Sequence, residues 1–164
     1  MQIENETVAQ IAVVVDDIEK YIAAYAKVFG VEPPTWRLTD TKDISHIKYK
    51  GKDTDARAKL AFFRFANLSI ELIEPVGVPS VWKDHLKKHG PSVHHIAFRY
   101  KDKAPVLAAL GLETVQTGDF KGGNYTYLNA DGKLGMDIEI LENPDMQQVD
   151  HVADRYRTER PASC

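Results

Sequence analysis

Cysteine is almost absent from this chain: one thiol, Cys164, stands among 164 residues. A lone cysteine excludes an intramolecular disulfide and a cysteine-built metal site, and it fits a reducing compartment. Long apolar runs are missing too, and the opening residues Met1 to Glu6 lack the charged-then-apolar layout of a secretory signal. These absences predict a cytoplasmic protein with no membrane partner. Excess charge of one sign is also lacking. The 21 Lys and Arg nearly balance the 24 Asp and Glu, and a net charge of −3 supplies no general field for gathering nucleic acid or anionic lipid. What is present is 43% hydrophobic residues, ample for a real core in one compact domain or in two small modules that share one.

The first half opens with Val8 to Val15, rich in β-branched residues and polar only at Gln10, which reads as a buried strand. Ile18, Ile22, Tyr25, Ala26 and Phe29 then recur at helical spacing, with an aspartate available as N-cap and Gly30 as C-cap. The polar stretch Thr39 to Asp55 reads as an exposed loop with one short strand around His46 to Tyr49. Lys59 to Phe65 and Leu68 to Ile73 follow as an antiparallel hairpin turning at Ala66-Asn67. A linker helix over 80–90, capped by Ser80 and ended by Gly90-Pro91, leads to the second half. That half has a strand at Val93 to Tyr100, a helix near Lys103 to Leu110, a strand near Glu113 to Gln116, and a hairpin of Asn124 to Leu128 with Met136 to Leu141. Both halves therefore run strand, helix, strand, hairpin. Gln10-Ile11-Ala12 matches His95-Ile96-Ala97, and Ile70-Glu71-Leu72-Ile73-Glu74 matches Ile138-Glu139-Ile140-Leu141-Glu142, the signature of a unit of about 70 residues used twice. The likeness covers 7–143, with modules at about 7–76 and 92–143, and 144–164 reads as a polar C-terminal extension.

The matched positions single out Gln10, Glu71, His95 and Glu139, each inside an apolar strand. An ionised glutamate is costly to bury alone, so Glu71 and Glu139 must face water, meet a cation or be protonated. Taken singly, each has a plain structural reading: a solvated strand glutamate, a hydrogen-bonded core amide, a satisfied histidine beside His94. Taken together, two carboxylates, an imidazole and an amide oxygen form a mixed oxygen and nitrogen set suited to Zn, Co, Ni, Mn or Fe as divalent ions. His46, His85, His89 and His151 have no spacing that forms a second site, and His85 with His89 lacks the adjacent acid of a zincin motif. Glu74 and Glu142 also match, but at strand ends, where exposure is the simpler reading. The loop Thr117 to Asn124, with Lys121 and two adjacent glycines, reads as a flexible connection before a strand, with anion binding as its alternative. Trp36, Arg37, Arg57 and Trp82 are further pocket candidates.

The opening strand with Asp16-Asp17 and a helix ending Val28-Phe29-Gly30, the run Ile70 to Gly77, and Val93-His94-His95-Ile96-Ala97-Phe98 resemble the vicinal oxygen chelate superfamily. That superfamily includes glyoxalase I and methylmalonyl-CoA epimerase, and the segment from Glu71 through Trp82 to Phe98 looks most like the epimerase. The resemblance implies an α+β fold of two βαβββ modules whose curved mixed sheets enclose a metal site, in a homodimer. It implies Gln10, Glu71, His95 and Glu139 as ligands of one divalent metal, choosing His95 over His94. The activity implied is that of a metal-dependent isomerase, epimerase or lyase using metal-stabilised enolate chemistry on a small oxo substrate such as an acyl-CoA or a thiol adduct. Glu139 is then the first candidate base, Glu71 the second and Asp55 a third. The first ligand position departs from the epimerase pattern, which has histidine where this chain has Gln10. The set Gln, Glu, His, Glu looks more like that of a zinc-type glyoxalase I, a lactoylglutathione lyase. The superfamily's metal-free drug-binding proteins supply a non-catalytic alternative.

Overall fold

A computed structural model describes residues 8–143. Strand β1 (Val8–Val14) leads into helix α1 (Ile18–Phe29), whose N-cap Asp17 accepts from the Lys20 amide at 3.1 Å. Gly30 ends the helix at φ 66°, a left-handed turn that glycine adopts without steric cost. Strand β2 (Arg37–Leu38), helix α2 (Lys42–Ser45), strand β3 (Lys48–Tyr49) and strand β4 (Lys52–Asp53) follow, then the long hairpin of β5 (Arg57–Arg64) and β6 (Ser69–Val76). Helix α3 (Val81–His89) joins this half to β7 (Ser92–Tyr100), α4 (Ala104–Leu110), β8 (Thr114–Phe120), β9 (Gly123–Leu128), α5 (Asp131–Leu134) and β10 (Asp137–Glu142).

The strands form one curled, mixed ten-stranded sheet in the order β2-β5-β6-β1-β7-β10-β9-β8-β3-β4. The seam between the halves is the antiparallel pair β1 and β7. Ile11 lies opposite Ile96, with Gln10 opposite Ala97 on one side and Ala12 opposite His95 on the other, so the register has a local two-fold axis. The flanking parallel pairs repeat it: Ala12 stands beside Glu71 in β6, and Ala97 beside Glu139 in β10. The fold is the α+β pair of βαβββ modules that the repeat and the family resemblance predict.

Side chains alternate across a strand, so each module has an outer and an inner face. Outside, Ile18, Ile22 and Ala26 of α1 pack on Val13, Ala61, Phe63 and Leu72, while Val106 of α4 packs on Leu128 and Ile140. Fully burying an aliphatic side chain such as Ile18 stabilises by about 1.5–3 kcal/mol, which decides the matter for a twelve-residue helix that would be marginal alone. Inside, Ala12, Val14, Leu60, Ile73 and Tyr127 gather around Trp82 of α3.

Two sequence expectations are corrected. The stretch Thr39 to Asp55 is not simply an exposed loop. It leaves the first module at β2 and crosses to the far edge of the sheet, where Lys48 and Tyr49 pair with Thr117 and Gln116 of β8. It returns through β4, burying Ser45, Ile47 and Ala56. These inward residues are too few and too widely spaced among charged neighbours to show a periodicity. Residues Thr117 to Phe120 are likewise strand and not a flexible connection. The glycines there serve packing. A Cβ on Gly118 would lie 2.5 Å from the Tyr125 hydroxyl, and one on Gly123 would lie 2.1 Å from the Glu142 carbonyl oxygen. The C-terminal extension over 144–164 lies outside the described residues.

Candidate metal centre

Because the register is two-fold, the inner face receives Gln10 and His95 from the central strands and Glu71 and Glu139 from their parallel neighbours. The four side chains meet. His95 Nε2 stands 3.1 Å from Glu139 Oε2 and 3.8 Å from Glu71 Oε2, and one ligand atom from each of these three residues fits within a 4.8 Å cluster. His95 is 0% exposed, Glu139 4% and Glu71 6%, so bulk water does not solvate their charges. Gln10 is also buried, and its amide nitrogen donates to Glu71 Oε2 at 3.4 Å. As a ligand its amide would be turned to present oxygen, an orientation that hydrogen-bond partners assign.

The chemistry of this set fits a divalent cation. Among the described residues, the buried His95 Nε2 and Glu139 Oε2 have no hydrogen-bond partner, although they face each other. Burial, and next the adjacent Glu139, push the Glu71 carboxyl well above its ordinary range, with Arg37 opposing. Two buried carboxylates and an orphaned imidazole nitrogen are expensive alone, and a metal that accepts oxygen and nitrogen donors would compensate them.

The cluster opens on a cavity of about 680 Å³, lined by Gln10, Glu71 and Glu139 together with Phe62, Tyr125, Tyr127, Trp36, Trp82 and Leu141. That volume lies in the range of small-molecule sites. Tyr127 accepts from Trp82 Nε1 at 3.2 Å, and burial raises the hydroxyl pKa of both Tyr125 and Tyr127, which keeps them protonated at neutral pH. Arg37, Arg64 and Arg99 also reach the lining, and the guanidinium carbons of Arg37 and Arg64 lie 5.9 and 5.6 Å from the Phe62 ring centroid.

The other candidates separate clearly. Asp55, the third candidate base, is bound to Lys42 at 2.9 Å with its side chain 67% exposed, away from the cavity lining. Arg57 donates to the Thr39 carbonyl and braces β5. Lys121 is exposed at the β8–β9 turn. His85, read as a surface residue, is half-buried, with its ring 4.9 Å from His94. Glu74 and Glu142 are not merely exposed strand ends: Glu74 Oε2 accepts from the Ile18 amide at 2.8 Å, and Glu142 Oε1 from the Lys103 amide at 2.9 Å. Each closes the N-terminus of its own module's helix, so the repeat carries a second matched pair with a structural task. Tyr125, Tyr127, Phe62, Arg64 and Arg99 were missed in the sequence. Their signal was alternation: each stands at an inward position of a strand that also carries a cluster residue or pairs with one that does.

The profile of the Glyoxalase/Bleomycin resistance protein/Dioxygenase superfamily matches residues 9–127. This chain belongs to that superfamily. Among relatives, an uncharacterized protein YqjC of Bacillus subtilis (strain 168) is 28% identical over 103 residues, covering 59% of this chain and 74% of that protein. The glyoxalase-superfamily fold recurs in solved structures. Methylmalonyl-CoA epimerase from Mycobacterium tuberculosis superposes with a TM-score of 0.60 at 19% identity over 87% of this chain and 93% of its own. A methylmalonyl-CoA epimerase in complex with methylmalonyl-CoA and NH4+ gives 0.61 at 18% identity over 88% and 99%. The hypothetical protein BH1468 from Bacillus halodurans C-125 gives 0.60 at 19% over 91% and 100%. At these identities the likeness is one of fold.

Proposed function

We propose that this protein is a metal-dependent isomerase or lyase that moves a proton next to the carbonyl of a small oxo substrate, with epimerisation of an acyl-CoA thioester as the leading reaction. The observation that carries this reading is the buried Glu71, His95 and Glu139 cluster, with two orphaned polar atoms, at the floor of a substrate-sized cavity. Gln10, Glu71, His95 and Glu139 would hold the ion. A divalent metal in such a site supplies Lewis acidity, which lowers the cost of negative charge on a carbonyl oxygen. The chain's own groups do the rest. Glu139 is assigned as the base because it lines the cavity with its carboxylate beside His95 Nε2, and Glu71, which lines it too, is the alternate. Tyr125, Tyr127 and Trp82 wall the floor with aromatic surface and exclude water from the reacting carbon. Arg37 and Arg64, beside Phe62, offer charge to an anionic group on the substrate.

The test is direct: purified protein stripped of metal is assayed for racemisation of methylmalonyl-CoA and, beside it, for isomerisation of a glutathione hemithioacetal, with each divalent ion added back. Metal-dependent racemisation that Glu139→Ala abolishes is the expected result. Hemithioacetal turnover instead would assign the glyoxalase I-like reaction, which the Gln, Glu, His, Glu set favours. Absence of metal from carefully purified protein, with tight binding of an aromatic drug, would assign the non-catalytic role. The proposal carries a cytoplasmic homodimer with it, which sedimentation measures. Among the described residues no helix is long and apolar enough to cross a membrane.

A further inference from the structure

The register of β1 and β7 breaks at two places that the repeat relates. Ala9 is the extra residue before Gln10, and His94 is the extra residue before His95. A bulge of this kind re-aims a side chain, and here it lets two successive imidazoles turn inward. His94 is 1% exposed and His95 0%. Their Nδ1 atoms are 2.8 Å apart. On its other side, His94 Nε2 stands 3.9 Å from Asp137 Oδ2, while Asp137 Oδ1 is fixed by the Ala130 and Asp131 amides at 2.9 and 3.1 Å. Edge contacts with His85 and Tyr127, at 4.9 and 5.5 Å between centroids, hold the His94 ring in plane.

We propose that His94 is a positioning residue that sets which nitrogen of His95 carries the proton, and so decides whether His95 Nε2 presents a lone pair to the Glu71 and Glu139 carboxylates. Two nitrogens at 2.8 Å share one proton, because two N–H groups cannot point at each other at that distance. That contact leaves one further proton to place on the two outer Nε2 atoms when the pair is taken as two neutral imidazoles. Two arrangements satisfy this. In the first, His94 donates from Nδ1 to His95 Nδ1, and the His95 proton sits on Nε2, 3.1 Å from Glu139 Oε2. In the second, His95 donates from Nδ1 to His94, its Nε2 is bare, and the His94 proton sits on Nε2 facing Asp137. Passing from first to second moves the shared proton across the pair, releases one proton from His95 Nε2 and takes one up at His94 Nε2, with no change of charge. Only the second arrangement can ligate a metal. A ligating histidine whose other nitrogen is oriented by a hydrogen bond is the general design; here the partner is a second histidine, placed by the bulge. The first repeat carries Ala9 at the equivalent bulge, so the imidazole follows the presence of His95 and is not a demand of the bulge.

The proposal rests on the reading of His95 as a metal ligand, and the experiment separates the two. Nitrogen-15 NMR of the full chain labelled at histidine reports the protonated nitrogen of each ring before and after Zn²⁺ is added, and competition with a chelator gives Zn²⁺ affinity. The expected result is Nδ1–H on His95 and Nε2–H on His94 in the zinc-loaded chain. His94→Phe, which fills the space without an acceptor, then weakens Zn²⁺ by roughly 10–100-fold, and His94→Asn, whose carbonyl replaces the Nδ1 acceptor, restores most of the loss. Zinc-loaded His94 keeping its proton on Nδ1 would overturn the proposal without any variant. Zinc affinity unchanged in His94→Phe, with the His95 signal still responding to zinc, overturns the proposal alone. No response of His95 in the unsubstituted chain overturns the ligand assignment together with it.

Discussion

Glu71→Gln should make the metal-free protein more stable at neutral pH while removing its response to metal. Glu71 and Glu139 are 6% and 4% exposed and share one cluster. Burial first and Glu139 second hold the Glu71 carboxyl well above 4.5, the ordinary value that it regains on unfolding. The native chain therefore binds a proton that the unfolded chain releases. For a carboxyl raised in this way, stability is fully present below the unfolded pKa and is lost as pH rises toward the folded one. The slope is about 1.4 kcal/mol per pH unit for one proton. At about 2–4 °C per kcal/mol for a chain of this size, the unsubstituted protein in chelator should lose roughly 3–6 °C of Tm per pH unit, relative to Glu71→Gln, across the window between the unfolded and the raised folded pKa of Glu71. The isosteric amide, neutral at every pH, removes that slope. Zinc at a hundred times its Kd should then raise the unsubstituted protein by about 2.7 kcal/mol and the variant far less. Melts from pH 5 to 8, in chelator and in zinc, measure both effects. Parallel curves for the two chains in chelator, or a variant less stable at pH 7, would refute the argument that an uncompensated carboxylate pair strains this core.

Glu142→Gln keeps an acceptor for the Lys103 amide but removes the charge. Hydrogen bonds from that amide and from Asn124 hold the carboxylate below its ordinary range, so its contribution exists above the unfolded pKa and is lost as pH falls through the folded one. A cost of about 1 kcal/mol at pH 7, vanishing in acid, should appear in denaturant titrations at the two pH values. Gly123→Ala should cost more than Gly118→Ala, because its Cβ meets the backbone at Glu142 while the other meets the Tyr125 side chain; thermal melts of the two variants rank them. Alanine at Arg37 and Arg64 should raise KM for methylmalonyl-CoA about tenfold, the loss of about 1.4 kcal/mol, with kcat little changed in steady-state assays.

The repeat was legible because the pairing register repeats residue for residue. Matching Gln10 with His95 and Glu71 with Glu139 in one dimension aligned the strands as they pair in three, and that match brought four distant side chains to one face. The cavity was less legible. Tyr125 and Tyr127 alternate along β9, but alternation alone does not say which face looks inward until β10 supplies Glu139. The crossing stretch was less legible because Ile47 and Ala56 are buried in the inner core with Trp82 and Tyr127, residues that lie far off in the chain. Glu74 and Glu142 match across the repeat, but their task does not show in the sequence. A strand-end glutamate looks solvated until the helix that begins beside it is placed, and only then do its oxygens find amides.

The two-fold seam at Ile11 and Ile96 has the form of an isologous contact, the kind through which identical subunits associate. Between separate identical subunits, any substitution on one side would be imposed on the other, and a centre built across the axis would draw equal ligands from each. Joining both units in one chain lifts that constraint. An amide can then face an imidazole at Gln10 and His95, and one bulge can hold alanine while its counterpart holds histidine. The covalent link gives the cluster a left and a right side, which two identical subunits could not.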